Sequence, residues 1–340
     1  MITEQQRRLS RRKLLSGTMV MGTAGFFGLQ PGRVGAEPPP ETTRLRMIQI
    51  PSICQSPQYV AESLLRAEGF TDVQYIKKAG TEDIEKALAS GEADLNAHFA
   101  APLIRRVEAG DPIVILAGEH VGCFELFGTD RVRSISDLKG KTVAVPPLDS
   151  ARYVFFASLV AYVGLDPRKD MNFVRRTGTE SIQLLAERKI DAYLGFPPEP
   201  QQLRAKKIGH VLVNSTVDRP WSQYFCCMLA GHREFVQRHP VATKRALRAI
   251  LKSADICALE PQRVARFIVD RGFTTNYDYA LNTMTAIPYG KWREYDPEDT
   301  LRFYALRLRE VGMIKSNPQQ IIAQGTDWRF LKELKKELKA

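Results

Sequence analysis

Gly118-Glu119-His120-Val121-Gly122-Cys123-Phe124-Glu125-Leu126-Phe127-Gly128-Thr129-Asp130 follows closely on the apolar run Ile113-Val114-Ile115-Leu116. Together they are too long for one ordinary mid-sheet strand and too rich in glycine and β-favouring residues for a helix. The stretch reads as a strand that leaves one lobe and enters another. A second stretch of the same character, Ser222-Gln223-Tyr224-Phe225-Cys226-Cys227-Met228-Leu229-Ala230, provides the return. Two such crossings make a hinge, with bending expected at 118–130 and 221–230, and the groove they floor is where a ligand would sit.

Outward from the first crossing, strands and helices alternate. Residues 44–50 alternate in polarity and end at Pro51; the loop 52–56 opens a helix with Pro57 in its first turn and Val60, Leu64 and Leu65 on one face. Val73-Gln74-Tyr75-Ile76 is a second strand. Thr81 caps a helix whose buried face carries Ile84 and Leu88, and Gly91 ends it. Ala93-Asp94-Leu95-Asn96-Ala97 is a third strand, with His98 and Phe99 at its carboxyl end and a helix bearing Leu103, Ile104 and Val107 after it. This alternation predicts a parallel sheet with helices on its faces.

The pattern repeats beyond the crossing. Thr142-Val143-Ala144-Val145 is a buried strand, and Asp149 or Ser150 caps a long helix carrying Val154, Phe155, Leu159 and Tyr162. Asn172-Phe173-Val174 is a strand, Thr179 caps the next helix, and Asp191-Ala192-Tyr193-Leu194 runs into Gly195-Phe196-Pro197-Pro198. After the return the spacing is helical over 234–239, 241–259, 261–271, 297–311 and 330–338, and these helices are expected to complete and brace the first lobe. The predicted division is therefore 44–122 with 226–340 in one lobe and 123–225 in the other.

The chain has 340 residues and a formal charge of +11. Residues 1–36 hold six basic residues and one acidic, so the excess on the remainder is small and gives a poor argument for nucleic acid. Arg7, Arg8, Arg11, Arg12 and Lys13 form a basic region, 17–29 an apolar one, and Val34-Gly35-Ala36 a small-residue cleavage site. This is an export signal over 1–36, cleaved near Ala36. Within it Ser10-Arg11-Arg12-Lys13-Leu14-Leu15 resembles the twin-arginine type. Cys54, Cys123, Cys226, Cys227 and Cys257 follow it. In an oxidising compartment this odd number leaves a thiol free or intermolecular. Cys123 could approach Cys226 or Cys227 if the crossings are neighbours, and Cys257 reads as a buried small hydrophobe.

The strand ending at Pro51, Gly91-Glu92-Ala93-Asp94, Ser134-Ile135-Ser136-Asp137-Leu138-Lys139-Gly140-Lys141-Thr142-Val143-Ala144-Val145 and Gly164-Leu165-Asp166-Pro167 together resemble a known family. It is that of the substrate-binding components of ABC importers in the nitrate, sulfonate, taurine and thiamine-precursor group, NMT1/THI5-like. The resemblance implies an α/β fold of the type II periplasmic binding protein kind, two lobes joined by two hinge strands. It implies a periplasmic protein that takes a small-molecule ligand and docks on an inner-membrane ABC permease; the N-terminal signal adds the twin-arginine export machinery as a partner, and a monomer with no cofactor is expected. Carried onto this sequence, the family's ligand-binding positions become Cys54, Gln55, Ser56, His98, Phe99, His120 through Glu125, Asp149, Ser150, Ala151, Gly178, Thr179 and Phe196. Carboxyl ends of parallel strands and helix N-termini are where a crevice of this kind collects ligands.

The residue chemistry leaves the ligand class open among sulfonate, carboxylate, pyrimidine and aromatic acid. Helix N-termini at Ser150 and Thr179 favour an anion or carbonyl, and Arg152 could reach a carboxylate. Glu119, Glu125, Asp149 and Glu199 argue against a site built solely for an oxyanion. Phe99, Phe124, Phe196, Trp221 and Tyr224 could stack on a planar ring. His120, Cys123 and Glu125 invite a metal, but residues 120 and 123 of an extended strand face opposite sides and do not converge without a bulge, so no metal site is expected. Gly140-Lys141-Thr142 resembles the end of a P-loop, yet Ile135 stands where the first glycine is required. No nucleophile–base constellation is visible, so no enzyme is expected. The alternative is an exported cofactor carrier or enzyme on this fold, similar to the eukaryotic pyrimidine synthases, whose clustered-cysteine motif the sequence lacks.

Overall fold

The computed structural model describes residues 37–50, 52–78, 82–145, 150–176 and 178–338. The export signal over 1–36 and the caps assigned to Thr81 and Asp149 fall outside them. Within Pro39–Ala340 the described residues build three sheets, of two, three and five strands, grouped in two systems with helices on their faces.

The first system opens with β1 (Arg44–Gln49), α1 (Ser56–Val60), α2 (Glu62–Ala67), β2 (Asp72–Lys77), α3 (Glu82–Ser90), β3 (Leu95–Phe99), α4 (Ala100–Glu108) and β4 (Ile113–Val121). β1 and β2 pair in parallel, as the alternation predicts. β1 meets β3 differently. The Arg46 and Ile48 amides donate to the side chains of Asp94 (2.7 Å) and Asn96 (2.7 Å), and Gln58 bridges the Ile48 carbonyl and the Ala97 amide.

The second system contains β5 (Glu125–Gly128), β6 (Thr142–Val145), α5 (Ala151–Tyr162), β7 (Asn172–Arg175), α6 (Gly178–Ala186), β8 (Ala192–Gly195), α7 (Glu199–Ala205) and β9 (His210–Asn214). Its strand order is β7-β6-β8-β5-β9, with β6 parallel to both neighbours and β5 antiparallel to both of its own. β9 and α7 were not expected; β9 is a half-exposed edge strand with little apolar pattern to announce it.

β10 (Phe225–His232) then returns to the first system and inserts antiparallel between β3 and β4. That three-stranded sheet, β3-β10-β4, is therefore antiparallel at both pairings and separate from the parallel pair β1-β2, because the returning strand re-enters it from the opposite direction. The long crossing strand of the sequence reading is two strands, broken at 122–124 where Gly122 takes φ +65°. The return runs through 215–224, so β10 lies wholly within the first sheet. The two crossings are tied to each other: the Cys123 amide donates to Ser215 Oγ (3.1 Å), and the Ser215 amide donates to the Phe124 carbonyl (3.0 Å).

The remaining helices are α8 (Arg233–Arg238), α9 (Pro240–Leu259), α10 (Pro261–Asp270), α11 (Tyr277–Ala286), α12 (Pro297–Glu310), α13 (Pro318–Gly325) and α14 (Arg329–Glu337). Proline in the first turn starts α9, α10, α12 and α13, where a missing N–H costs nothing. α9 packs on α1, α2 and β4, as expected of a brace for the first system, but α12 lies against both α4 and α5 and so bridges the two.

The Glu41 carboxylate accepts from the Val241 (2.9 Å) and Ala242 (2.8 Å) amides and supplies the cap that α9 lacks locally. Burial alone would raise its pKa, yet those two amides hold it below the ordinary glutamate value. A depressed folded-state pKa contributes stability that is present above the unfolded pKa and lost as pH falls through the folded one. Glu41→Gln is therefore expected to cost about 1 kcal/mol at neutral pH and less in acid, read by urea titrations across that range.

Candidate functional site

Four aromatic rings meet where the two systems face each other. Phe99 ends β3, Phe124 lies in the first crossing, Phe155 is on α5 and Phe196 follows β8. Phe124 sits 4.6 Å from Phe99 and 6.0 Å from Phe196, Phe99 lies 5.7 Å from Phe196, and Phe155 stacks on Phe124 at 4.3 Å. Phe196 is half-buried and the other three are buried. Two sit at strand ends, one in the crossing and one within α5, so the wall is built by the topology rather than by one segment.

The N-terminus of α5 stands beside this wall. Ser150 caps it, its Oγ accepting from the Tyr153 amide (3.2 Å), and Ala151 is fully buried in the first turn. Arg152 turns back under Phe196, its guanidinium 4.7 Å from that ring's centroid. It donates to both carboxylate oxygens of Glu199 (2.9 and 3.1 Å), to the Leu194 carbonyl (3.2 Å) and to the Tyr193 hydroxyl. The sequence reading left Arg152 free for a ligand carboxylate; in the structure its charge is already met. Gly178 lies against the same group, since a Cβ there would come within 2.2 Å of Glu199 Oε1. Thr179 is exposed and cannot be the cap of α6, because Gly178 before it is already helical.

The other predicted residues go elsewhere. Gln55 is buried, donating to the Ala97 carbonyl (3.0 Å) and accepting from Tyr59 (3.3 Å), and Ser56 donates to the Ile53 carbonyl (2.6 Å). His98 is fully buried with Nε2 3.1 Å from Glu85 of α3. Glu125 is held by both terminal nitrogens of Arg204. Gln55, Ser56 and Glu125 have their polar atoms engaged inside the protein, whereas His98 Nδ1 is buried with no hydrogen-bond partner. Asp149 lies outside the described residues. Glu199, Tyr193 and Phe155, which complete the Arg152 cluster and the wall, stand outside the predicted set; Glu199 three residues after Phe196 was the available signal.

Cys54 and His120 belong to a second, buried constellation behind the wall. Cys54 comes from the turn Ile53–Gln55, His120 from the end of β4, and Cys227 faces His120 across the ladder. The ligand-type atoms of these three lie within 4.8 Å of one another, as do those of Cys123, Cys226 and Cys227. Cys123 Sγ is 2.7 Å from Cys226 Sγ, so of the two partners open to it the structure brings Cys226 against it. Burial pushes the neighbouring Glu119 carboxyl up to about 8, against the opposing pull of His120. The grouping of His120 with Cys123 and Glu125 is not found, because Glu125 faces Arg204. Cys257 is buried on α9, apart from these groups.

A protein-family model described as NMT1/THI5 like matches residues 57–264. No curated protein matches the chain by sequence. Among solved structures, the fold is similar to the periplasmic nitrate-binding protein NrtA from Synechocystis PCC 6803. That match has a TM-score of 0.73 at 14% identity, covering 88% of this chain and 90% of that one. It is also similar to the alkanesulfonate-binding protein SsuA from Xanthomonas axonopodis pv. citri bound to MOPS, with a TM-score of 0.65 at 14% identity, covering 86% and 100%. A sulfonate-binding protein SsuA from Methylobacillus flagellatus KT, described as putative in its own right, matches with a TM-score of 0.64 at 18% identity, covering 87% and 94%. Among the described residues no helix is long and apolar enough to cross a membrane.

Proposed function

Because the chain belongs to the NMT1/THI5 like family, we propose that it is the solute-binding component of an ABC-type importer, capturing a small organic ligand between its two lobes. The moving bodies are 44–122 with 226–340 on one side and 123–225 on the other, and closure bends the paired crossings at 122–124 and 215–224. The protein works outside the cytoplasm after cleavage of the export signal near Ala36, delivers its ligand to an inner-membrane permease and turns nothing over.

One observation favours a ligand class. Arg152 is matched by Glu199, and Glu125 by Arg204, while Phe99, Phe124 and Phe196 converge between the two sheet systems. A wall of rings whose nearest charges are neutralised suits a planar, conjugated solute such as a pyrimidine or an aromatic acid better than a bare oxyanion. The structural relatives named for nitrate and sulfonate are the contrasting case.

The test is thermal unfolding of the purified protein against pyrimidines, flavins, aromatic acids, aliphatic sulfonates, carboxylates and nitrate. A ligand at a hundred times its dissociation constant stabilises by about 2.7 kcal/mol, a clear rise in midpoint. A rise with a planar class, abolished by Phe196→Ala and accompanied by no product on incubation, is expected. A rise confined to nitrate or sulfonates would overturn the ligand class, and conversion of the bound compound would overturn the receptor reading.

A further inference from the structure

We propose that Cys54, His120 and Cys227 form a binding site for a soft, thiolate-seeking metal ion of the Zn²⁺ or Cu⁺ class, with Cys123 and Cys226 as further thiolates beside it. Three separate elements deliver the donors: the turn Ile53–Gln55, the end of β4 and the start of β10. Their sulfur and nitrogen atoms lie within 4.8 Å of one another, close enough to share one ion, and Cys227 also belongs to the set with Cys123 and Cys226. Two sulfurs and an imidazole nitrogen, with more sulfur adjoining, are ligands that select such ions over hard ones.

The orientation of His120 is the independent observation. Its Nδ1 lies 3.0 Å from the Gly122 carbonyl, which can only accept, so Nδ1 carries a proton, and in the neutral imidazole Nε2 presents the lone pair. Nε2 is buried and has no hydrogen-bond partner. A backbone carbonyl that fixes the tautomer and leaves the other nitrogen free is the arrangement that orients a metal-ligating histidine. Tyr289 holds the opposite side: its ring packs edge-on against His120 (5.2 Å) and its hydroxyl donates to the Cys54 carbonyl (3.1 Å). Next to the imidazole, both carboxylate oxygens of Glu119 are also buried without a partner, and Oε2 is 3.9 Å from His120 Nε2.

The reaction is ligand exchange. Cys54 and Cys227 each give a proton to solvent and bind as thiolates, while His120 binds as the neutral imidazole. No oxidant is involved, and a disulfide between Cys123 and Cys226 would leave Cys54, His120 and Cys227 intact. Cys123 lies in the first crossing, so opening there provides the route in.

The test uses the full chain, reduced and stripped of metal, titrated with Co²⁺ and displaced by Zn²⁺, and in a second arm with Cu⁺ against a coloured chelator. Uptake of about one ion with thiolate charge-transfer absorption is expected, together with a loss of affinity of at least about tenfold in Cys54→Ala, Cys227→Ala and His120→Ala. Cys257→Ala should bind as the parent does. X-ray absorption on the unmutated complex gives a readout that does not depend on variants folding, and a shell of sulfur with imidazole nitrogen is expected. Binding of Cu⁺ alone would assign the site to that ion. Absence of uptake in both arms, a shell of nitrogen and oxygen only, or affinity unchanged in folded Cys54→Ala and Cys227→Ala would overturn the proposal. No solute is present in any arm, so failure here is distinct from failure of the receptor reading.

Discussion

Glu199→Ala is expected to lower the free energy of unfolding by about 3–5 kcal/mol, because it strands the Arg152 guanidinium without its counter-charge. The side chains of the pair are 10% and 18% exposed, so water cannot replace what the carboxylate supplies. Glu199 takes two of the guanidinium donors and stands against Gly178, so its loss also empties the space in front of α6. Urea unfolding should show a lower midpoint with an unchanged slope, as for a change in stability alone. Replacing both partners with apolar residues, Arg152→Met with Glu199→Leu, should recover most of the loss, since the penalty belongs to the unpaired charge and not to the missing attraction. A loss below about 1 kcal/mol in the single variant would mean that the pair is solvated, as surface pairs are, and that Arg152 is available to a ligand after all.

Gly122→Ala should also be costly, at about 2–5 kcal/mol. The φ of +65° is the left-handed region, which costs an L-residue roughly 1–2 kcal/mol. A Cβ there would come 2.4 Å from Thr216 Cα, an overlap with backbone that no rotamer change relieves, and crowding of that kind adds roughly 1–3 kcal/mol. Thr216 belongs to the return crossing, so the strain falls on the pairing of Cys123 and Phe124 with Ser215, where the hinge is proposed to bend. Chemical denaturation gives the stability. Small-angle scattering with and without a stabilising ligand gives the effect on closure, with the variant expected to compact less. A loss under about 1 kcal/mol, with compaction retained, would show that the crossing adapts and that bending occurs elsewhere.

Much of the fold was legible because periodicity reports burial. The alternation over 44–50 and the helical spacing after Ser150 correspond to β1 and α5, and the apolar run at 113–116 lies in β4. Elements were missed where that signal is weak or was passed over. β9 is half-exposed. α13 is short, though Asn317 and Gln320 form a capping box that was there to be seen.

The candidate site was legible in part. Phe99, Phe196, Ser150 and Arg152 sit at strand ends and helix starts, positions that topology makes predictable. The partners of those residues were not, since Arg152 and Glu199 lie 47 residues apart and no local pattern links them. The objection to a metal site held for a regular strand: 120 and 123 lie on either side of a break and do not pair. The ladder between β4 and β10 instead shifts register between Phe225 and Cys227 and again between Cys227 and Met228. A shift of that kind overrides the alternation that would put neighbouring side chains on opposite faces, and Cys226 and Cys227 reach one cluster.

The sequence by itself determined the class of fold, two α/β lobes with paired crossings, because apolar period and turn residues act within a few positions of one another. Which donors and charges meet was decided only by the tertiary structure: Glu199 on Arg152, Cys227 opposite His120, Ser215 on Cys123. Each of those contacts depends on strand register and helix packing between segments far apart in the chain, and a shift of one residue in either would abolish it.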